Sequence, residues 1–352
     1  KPLPPASCVF TERPVVVAAR EPKTPLTISV ARSVLKLAAD RTGADFAAVC
    51  ELQSSAADEV GSEEWARGVA TVNVHGAGGN MVDPNHRKRG VLGLLSSMMQ
   101  HECSPSCVVH ISAEEQGSLV SLHTIRHVAP GELLSISYVG AYQPTPTRRK
   151  LLQAQHGFVC RCARCTLLPE HVRAFRCPAC GEGPCSPTSP SPSCRQLGCD
   201  ECGAIMELDE EAWAGLVEAE ESDVVSQEMM AVLHPYHHKP VVMYQHNLLK
   251  LPPPARVQVL EQHADARERL YAGFAAEGLA HPLVANDLES VAVAMLGAGD
   301  VEGAAGRFAD AAERFASFYG GASADAARCA RGATVTSAEE YRRVCGEVLA
   351  HH

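Results

Sequence analysis

Apolar and polar positions in the first 140 residues alternate over short runs that are typical of strands, with one helical interruption. The stretch "CVFTERPVVVAA" is rich in β-branched residues and predicts a strand pair broken at Pro14. Apolar residues recur every three or four positions in Thr27–Arg41, which predicts a helix. Gly68–Gly76 has the pattern of a further strand, and Gly76–Gly90 that of a loop with a basic tip at Arg87–Arg89.

The next part of the chain predicts a hairpin, and the last part predicts helices. Val108–Tyr138 alternates like a hairpin followed by one more strand, with a turn at "APGE". An acidic helical stretch, Leu208–Met230, opens the helical part. Leu283–Gly321 predicts two antiparallel helices around "GAGD", with the small and large residues of a helical-hairpin repeat. A plain helical bundle is the alternative. We therefore expect an α+β protein whose region 208–352 is all-α.

Composition and charge narrow the class of function. The chain has 352 residues, enough for two or three domains, and a net charge of −10. A general nucleic-acid binder needs a basic surface, so this charge argues against one. It suits a protein that receives basic peptides, although solubility alone explains it equally well. The sequence shows no apolar run of the roughly 20 residues that a membrane helix needs, and no secretory signal.

Cysteine spacing gives the first chemical signal. There are 15 cysteines, an odd number that a framework of disulfides alone would not use completely. Four of them follow the spacing Cys177-x2-Cys180-x18-Cys199-x2-Cys202. Two such pairs each direct two thiolates at one ion, which predicts a structural zinc in a ribbon-like module at 174–204. The alternatives are that Cys185 or Cys194 replaces one of the four, or that the module binds no metal.

A second group of cysteines has only three potential zinc ligands close together in the sequence. Cys160, Cys162 and Cys165 supply three thiolates, whereas structural zinc takes four ligands. The fourth ligand of a second zinc site must therefore come from elsewhere in the chain.

Three motifs in this order resemble those of a known family. They are "QHECSPSC" at Gln100–Cys107, "GELLSISY" at Gly131–Tyr138 and "GFVCRCARC" at Gly157–Cys165. They resemble "NHSCxPNC", "GEELxISY" and the post-SET "FxCxCx2C" of SET-domain protein lysine methyltransferases of the SMYD type. "VFTERPVVVAA" is similar to an early SET strand, and the segment 210–350 fits that type's C-terminal, TPR-like helical-repeat domain. The resemblance covers most of the chain.

The resemblance implies a division into domains and a zinc ligand set. A β-rich SET domain would occupy 1–145 and a zinc-bound post-SET segment 146–168, before the ribbon-like insert and the helical domain. Cys103 corresponds to the family's fourth zinc ligand beside Cys160, Cys162 and Cys165. Cys107 would then pack as a small hydrophobic residue.

The resemblance also implies a cofactor site and a catalytic residue. Gln100 and His101 match a pair that contacts S-adenosylmethionine. Asn73 resembles a strand asparagine that contacts the cofactor, and Phe158 matches an aromatic residue near the adenine. Tyr138 matches the catalytic-site tyrosine, beside the methyl group. Its segment would thread with "HECSP" in a pseudoknot, which brings the distant thiols together.

The sequence departs from the family pattern at several points. Gln100 stands where the family has asparagine, and Glu102 and Ser106 replace its serine and second asparagine. A MYND finger is absent, since the early region has only Cys8 and Cys50. The family's Gly-x-Gly turn against the cofactor is also absent. We expect the natural protein to begin upstream of Lys1, and the chain as given to bind S-adenosylmethionine weakly or not at all.

Several of these residues also have a purely structural explanation. Tyr138 could be an ordinary strand tyrosine and His101 a core histidine, but their motifs favour the site. His234, His237 and His238 could form a metal site, although a surface loop in a histidine-rich chain explains them as well.

The function that the resemblance implies is S-adenosylmethionine-dependent methyl transfer to lysine in a histone or non-histone protein. The expected cofactors are S-adenosylmethionine and two structural Zn2+ ions, and the expected substrate is a basic, lysine-containing protein or peptide. Protein partners could bind the helical domain, and we expect neither direct nucleic-acid binding nor a membrane. We expect the protein to be located in the nucleus, the cytoplasm or both. The alternatives are an inactive SET scaffold and a zinc-ribbon adaptor without a cofactor.

Overall fold

The computed structural model describes residues 1–19, 24–39, 44–52, 54–55, 59–76, 89–114, 117–221, 231–240, 248–276, 279 and 281–350. The loop predicted before Arg89 and the end of the acidic stretch beyond Glu221 lie outside the described residues. Among the helices that are described, none is both long and apolar enough to cross a bilayer.

Short strands in three small sheets form most of the N-terminal region. The strands are β1 (Cys8–Glu12), β2 (Val16–Ala19), β3 (His75–Gly76), β4 (Arg89–Leu92), β5 (Gln100–His101), β6 (Cys107–Glu114), β7 (Gly117–Thr124) and β8 (Ser135–Ile136). Their orders are β1-β7-β6, β2-β4-β3 and β5-β8. The predicted break at Pro14 and the predicted hairpin with a further strand are confirmed.

Three helices, α1 (Leu26–Ala39), α2 (Ala44–Cys50) and α3 (Glu63–Asn73), pack against the β2-β4-β3 sheet. The helix predicted at Thr27–Arg41 is confirmed by α1. The strand predicted over Gly68–Gly76 is wrong as far as Asn73, where α3 ends, and only His75–Gly76 form a strand, β3. Ser62 caps α3 by accepting from the Trp65 amide at 3.0 Å. Trp65 and Val69 bury one face of α3, and this packing outweighs the strand preference of its β-branched residues.

Two distant segments meet in the β5-β8 sheet. The strands are parallel, with Gln100 opposite Ser135 and His101 opposite Ile136. The pairing continues as the Glu102 amide donates to the Ile136 carbonyl at 3.0 Å. This crossing is the threading that the resemblance implies, and it places Tyr138 beside "HECSP".

Inside the SET part, the short helix α4 (Leu94–Ser97) lies between β4 and β5. The cysteine-rich region follows the SET part through α5 (Thr145–His156), α6 (Ala163–Thr166) and a small sheet. The sheet has the order β12-β11-β10-β9, from β9 (Phe175–Arg176), β10 (Pro184–Pro187), β11 (Gln196–Cys199) and β12 (Ile205–Glu207).

The remaining described residues form a helical domain, which confirms the α+β class. Its elements are α7 (Glu210–Glu221), a 3-10 turn (Leu248–Lys250), α8 (Pro253–Ala272), α9 (Pro282–Ala298), α10 (Val301–Tyr319), α11 (Ala324–Gly332) and α12 (Ala338–Ala350). The predicted hairpin around "GAGD" is α9–α10. Gly299 ends α9 at φ 85°, and Asp300 begins α10 by accepting from the Gly303 amide at 2.9 Å.

Candidate functional site

His101 and Tyr138 are joined directly where β5 meets β8. The Tyr138 amide donates to His101 Nδ1 at 3.0 Å, and the two ring centroids lie 5.2 Å apart. Because Nδ1 accepts this bond, the neutral imidazole carries its proton on Nε2. That nitrogen lies 3.3 Å from Cys103 Sγ. His101 therefore links Tyr138 to Cys103, one of the predicted zinc ligands.

The Tyr138 hydroxyl donates to the main-chain carbonyl of Met99. Burial raises the pKa of Tyr138, so its hydroxyl stays protonated at neutral pH. A protonated, half-buried phenol can orient a neighbouring group by hydrogen bonding, but it is not a base at this pH. This agrees with a role in positioning and charge stabilisation.

Phe158 and His156 complete a cluster of four rings. The Phe158 ring lies 5.9 Å from that of His101 and 6.5 Å from that of Tyr138, and the His156 ring lies 4.6 Å from that of Tyr138. Sequence reasoning missed His156. Its position two residues before Phe158, at the end of α5, was the only available signal. His156 Nδ1 is buried and has no hydrogen-bond partner in the structure.

Gln100 and Asn73, the two other residues predicted to contact the cofactor, are not members of the four-ring cluster. Gln100 is exposed on β5. Asn73 is buried at the end of α3, and its side-chain amide donates to the Val69 carbonyl at 2.9 Å. Its own carbonyl accepts from Ser97 Oγ at 3.3 Å, just before the strand that carries Gln100. Cofactor contacts of both residues stay predictions.

The first thiol cluster contains Cys103, Cys160, Cys162 and Cys165, whose sulfurs all lie within 4.8 Å of one another. The Cys103 sulfur is 3.9 Å from that of Cys160 and 3.5 Å from that of Cys165. Tetrahedral zinc with Zn–S bonds of about 2.3 Å separates its sulfurs by about 3.8 Å. The cluster therefore fits zinc. Cys107 lies outside it, buried against Leu122 and Ile136.

Arginines surround this first cluster. Arg148 is fully buried, and its guanidinium lies 3.7 Å from Cys165 Sγ and 3.5 Å from the Glu170 carboxylate. Arg164 donates to the Cys103 carbonyl at 2.9 Å. Four thiolates with Zn2+ carry a net charge of −2, so buried cations beside them reduce the cost of burial. This positive shell was not visible in the sequence.

The second thiol cluster is the ribbon, and its sulfurs have the same spacing. Cys177 and Cys202 are 3.8 Å apart, and Cys180 and Cys199 are 3.9 Å apart. Amides of Ala179 and Cys180 point at the Cys177 sulfur from 3.3 and 3.5 Å. Such amide contacts stabilise thiolates, so this cluster also fits zinc.

A third group, Glu220, His237 and His238, does not fit a metal. His237 is fully buried, contrary to the surface loop that the sequence suggested. Its Nδ1 accepts from the Lys239 amide at 3.1 Å, so its Nε2, which faces Glu220, carries the proton. Arg173 binds both Glu220 oxygens at 2.6 to 3.0 Å. Burial alone would raise the pKa of Glu220, but the neighbouring His237 and the hydrogen-bonded Arg173 lower it to about 2.

The four-ring cluster is suited to S-adenosylmethionine. Its half-buried rings offer apolar surface on which an adenosine can stack. His101, Tyr138 and Phe158 would hold the cofactor there.

Comparisons with known proteins agree with this geometry. The family model described as "SET domain" matches residues 13–139. Histone-lysine N-methyltransferase set5 of Schizosaccharomyces pombe is 29% identical over 85 residues, which are 24% of this chain and 26% of set5. Histone-lysine N-methyltransferase SMYD3 of Mus musculus is 34% identical over 76 residues, 21% of this chain and 17% of SMYD3. N-lysine methyltransferase SMYD2 of Homo sapiens is 30% identical over 70 residues, 20% of this chain and 15% of SMYD2.

These matches span about a quarter or less of the length of the relatives. The match to the SET model, over residues 13–139, includes the crossing of β5 and β8 and also Tyr138. The motifs, the crossing and the family model agree that the chain carries a SET domain, and part of the chain is similar to the SMYD2 and SMYD3 methyltransferases.

Proposed function

We propose that this protein transfers a methyl group from S-adenosylmethionine to the side chain of a protein lysine. The observation that carries the proposal is the parallel β5-β8 pairing, which joins Tyr138 to His101 and sets both beside Phe158. The SET match over residues 13–139 and the lysine methyltransferase relatives support it.

The cofactor supplies an electrophilic methyl group on a sulfonium, and the protein's residues prepare the nucleophile. A lysine with a pKa near 10.4 loses its proton at pH 7 at a cost of roughly 4–5 kcal/mol. A narrow channel lined by Tyr138 excludes water and disfavours the ammonium form. The Tyr138 hydroxyl, fixed by the Met99 carbonyl, orients the reacting groups and stabilises charge there.

The substrate class follows from charge and from the relatives. A net charge of −10 favours encounter with basic segments. The names of the relatives specify histone-lysine and N-lysine methyltransferases. The substrate we propose is therefore a basic protein segment, in a histone or another protein, in the nucleus, the cytoplasm or both.

The first prediction concerns Tyr138. In the natural full-length protein, Tyr138→Phe should lower turnover at least about 100-fold while changing cofactor affinity little, because its hydroxyl acts chiefly in the transition state. The measurement is transfer of a labelled methyl group to broad peptide arrays, with hydrolysis to identify methyl-lysine. Tyr236→Phe is the matched control, since Tyr236 lies beside Arg269, away from the ring cluster. Equal turnover of Tyr138→Phe and the wild-type protein would reject the catalytic assignment.

A second candidate function is an inactive SET scaffold. The exposure of Gln100 and the bond between the Asn73 amide and its own helix favour it, because both amides would contact the cofactor in an active site. Cofactor binding without methyl transfer on any peptide would support the scaffold.

A further inference from the structure

A fifth cysteine lies against the ribbon cluster. Cys185 is fully buried on β10, in the same apolar cluster as Cys177 and Cys199. The four other ribbon cysteines have the sulfur spacing of a zinc site, so Cys185 is left over beside a complete ligand set.

The strand register places Cys185 directly opposite Cys199. The Asp200 amide donates to the Pro184 carbonyl at 3.2 Å, and the Cys199 amide donates away from β10, to the Ala204 carbonyl at 2.9 Å. This pattern identifies Cys185 and Cys199 as a non-hydrogen-bonded pair, whose Cα atoms lie about 4.5 Å apart in antiparallel sheets. Disulfides span Cα distances from about 4.4 to 6.8 Å, so the pair can close without moving either strand far.

The geometry points to a redox modification site: peroxide oxidises Cys185 and Cys199 to a cross-strand disulfide that withdraws one ligand from the ribbon's zinc. Cys199 itself is buried, but its sulfur lies within 4.8 Å of those of the exposed Cys180 and Cys202, so a small oxidant that reaches the outer side of the cluster comes close to it. Cys185 serves as the resolving thiol, since it is not needed as a zinc ligand.

The chemistry balances with one peroxide. The Cys199 thiolate attacks a peroxide oxygen, the O–O bond breaks, hydroxide leaves, and a sulfenic acid remains. The Cys185 sulfur then attacks the sulfenic sulfur. The S–O bond breaks, and the oxygen leaves as water with the thiol proton. The two sulfurs together lose two electrons, and the two peroxide oxygens gain them.

The test starts from the full chain loaded with zinc. Hydrogen peroxide is then added in steps that are each equimolar with the protein. Peptide mapping without reduction identifies the disulfide, and a chromogenic chelator measures the zinc released. The first disulfide should join Cys185 to Cys199, with the release of one zinc, and dithiothreitol with added zinc should reverse both. A first disulfide between any two of Cys177, Cys180, Cys199 and Cys202 would overturn the proposal, as would the absence of a disulfide.

Two variants measure the contribution of the fifth thiol. Cys185→Ala should slow peroxide-driven zinc release at least about fivefold, because the resolving thiol is gone. Cys194→Ala is the matched control; Cys194 is in the same module but outside the sulfur cluster, and its loss should leave the rate unchanged. Zinc release from Cys185→Ala at the wild-type rate would contradict the proposal. If Cys185→Ala binds no zinc before oxidation, the disulfide map of the wild-type chain decides alone.

Discussion

At the scale of single residues, Cys103 and Cys107 show how position decides the role of a thiol. Cys103 is fully buried, and its sulfur faces three others, one of them 3.5 Å away. Cys107, four positions later, begins β6 and packs against Leu122. A thiol among apolar side chains behaves as a small hydrophobic residue, whereas four converging thiols form a metal site.

The second prediction compares these two cysteines. Cys103→Ser should destabilise the SET part as severely as Cys162→Ser, because a site with three thiolates loses most of its zinc affinity, and that affinity is folding free energy. Cys107→Ser should lower the free energy of unfolding by only about 1–3 kcal/mol, because it buries a hydroxyl without a good hydrogen-bond partner. Zinc content and denaturant unfolding measure both effects. Equal damage from the two substitutions, or greater damage from Cys107→Ser, would reject the mapping.

Among individual residues, the motifs of the sequence carried more information than its periodicity. "HECSP" and "ISY" indicated His101, Cys103 and Tyr138, and the structure brings these residues together. His156 could not be predicted in this way, because its place beside Tyr138 depends on tertiary packing at the end of α5.

At the scale of elements, α3 shows where local preference fails. Gly68–Gly76 has the β-branched residues of a strand, yet Glu63–Asn73 is helical. The helix follows from the cap at Ser62 and from burial of Trp65 and Val69. Burial depends on the neighbouring α1 and β4, so a short window of sequence does not contain it. The α9–α10 hairpin was predictable because its apolar period is long and "GAGD" contains both a helix stop and a cap.

The third prediction concerns the start of α9. His281 Nδ1 accepts from the Leu283 amide at 3.2 Å, and its ring stacks on Tyr271 at 3.7 Å. Burial, with a contribution from Arg267, lowers the pKa of His281 to about 3. In the unfolded chain the pKa of His281 is near 6.5. The neutral, buried imidazole therefore contributes its full stabilisation to the fold above pH 6.5, and this contribution is lost as the pH falls toward 3. Between pH 7.5 and 5.5 it should decrease by about 1.4 kcal/mol.

His281→Asn keeps a cap acceptor that does not titrate. Urea unfolding of the helical domain, followed by circular dichroism, should show a smaller loss of stability between these two pH values for the variant than for the wild-type chain. Other buried histidines contribute equally to both proteins and cancel in the comparison. The same loss in both proteins would contradict the assignment.

At the scale of the whole molecule, long-range contacts hold separate parts of the sequence together. The first thiol cluster joins Cys103 to the segment that contains Cys160, Cys162 and Cys165. The SET part and the helical domain meet where His110 Nε2 lies 2.6 Å from an Asp325 oxygen. The sequence predicted the parts and their order, but it could not predict this contact between domains.

The fourth prediction is the zinc content. Elemental analysis of the purified chain should give close to two zinc ions per molecule, one for each thiol cluster. Cys199→Ser should remove one zinc ion and leave the SET part folded, because the ribbon sheet has its own apolar core around Phe175 and Leu197. A content of zero would contradict both sites, and unfolding of the SET part by Cys199→Ser would contradict their independence.

The most direct test of the proposed function is calorimetric titration of the natural full-length protein with S-adenosylmethionine. We expect one cofactor per chain, bound among His101, Tyr138 and Phe158. Phe158→Ala should weaken binding about tenfold or more through loss of an aromatic face, with zinc content as the check on folding. Tyr236→Phe should bind like the wild-type protein. Absence of binding, or equal affinity of Phe158→Ala and the wild-type protein, would contradict the cofactor site.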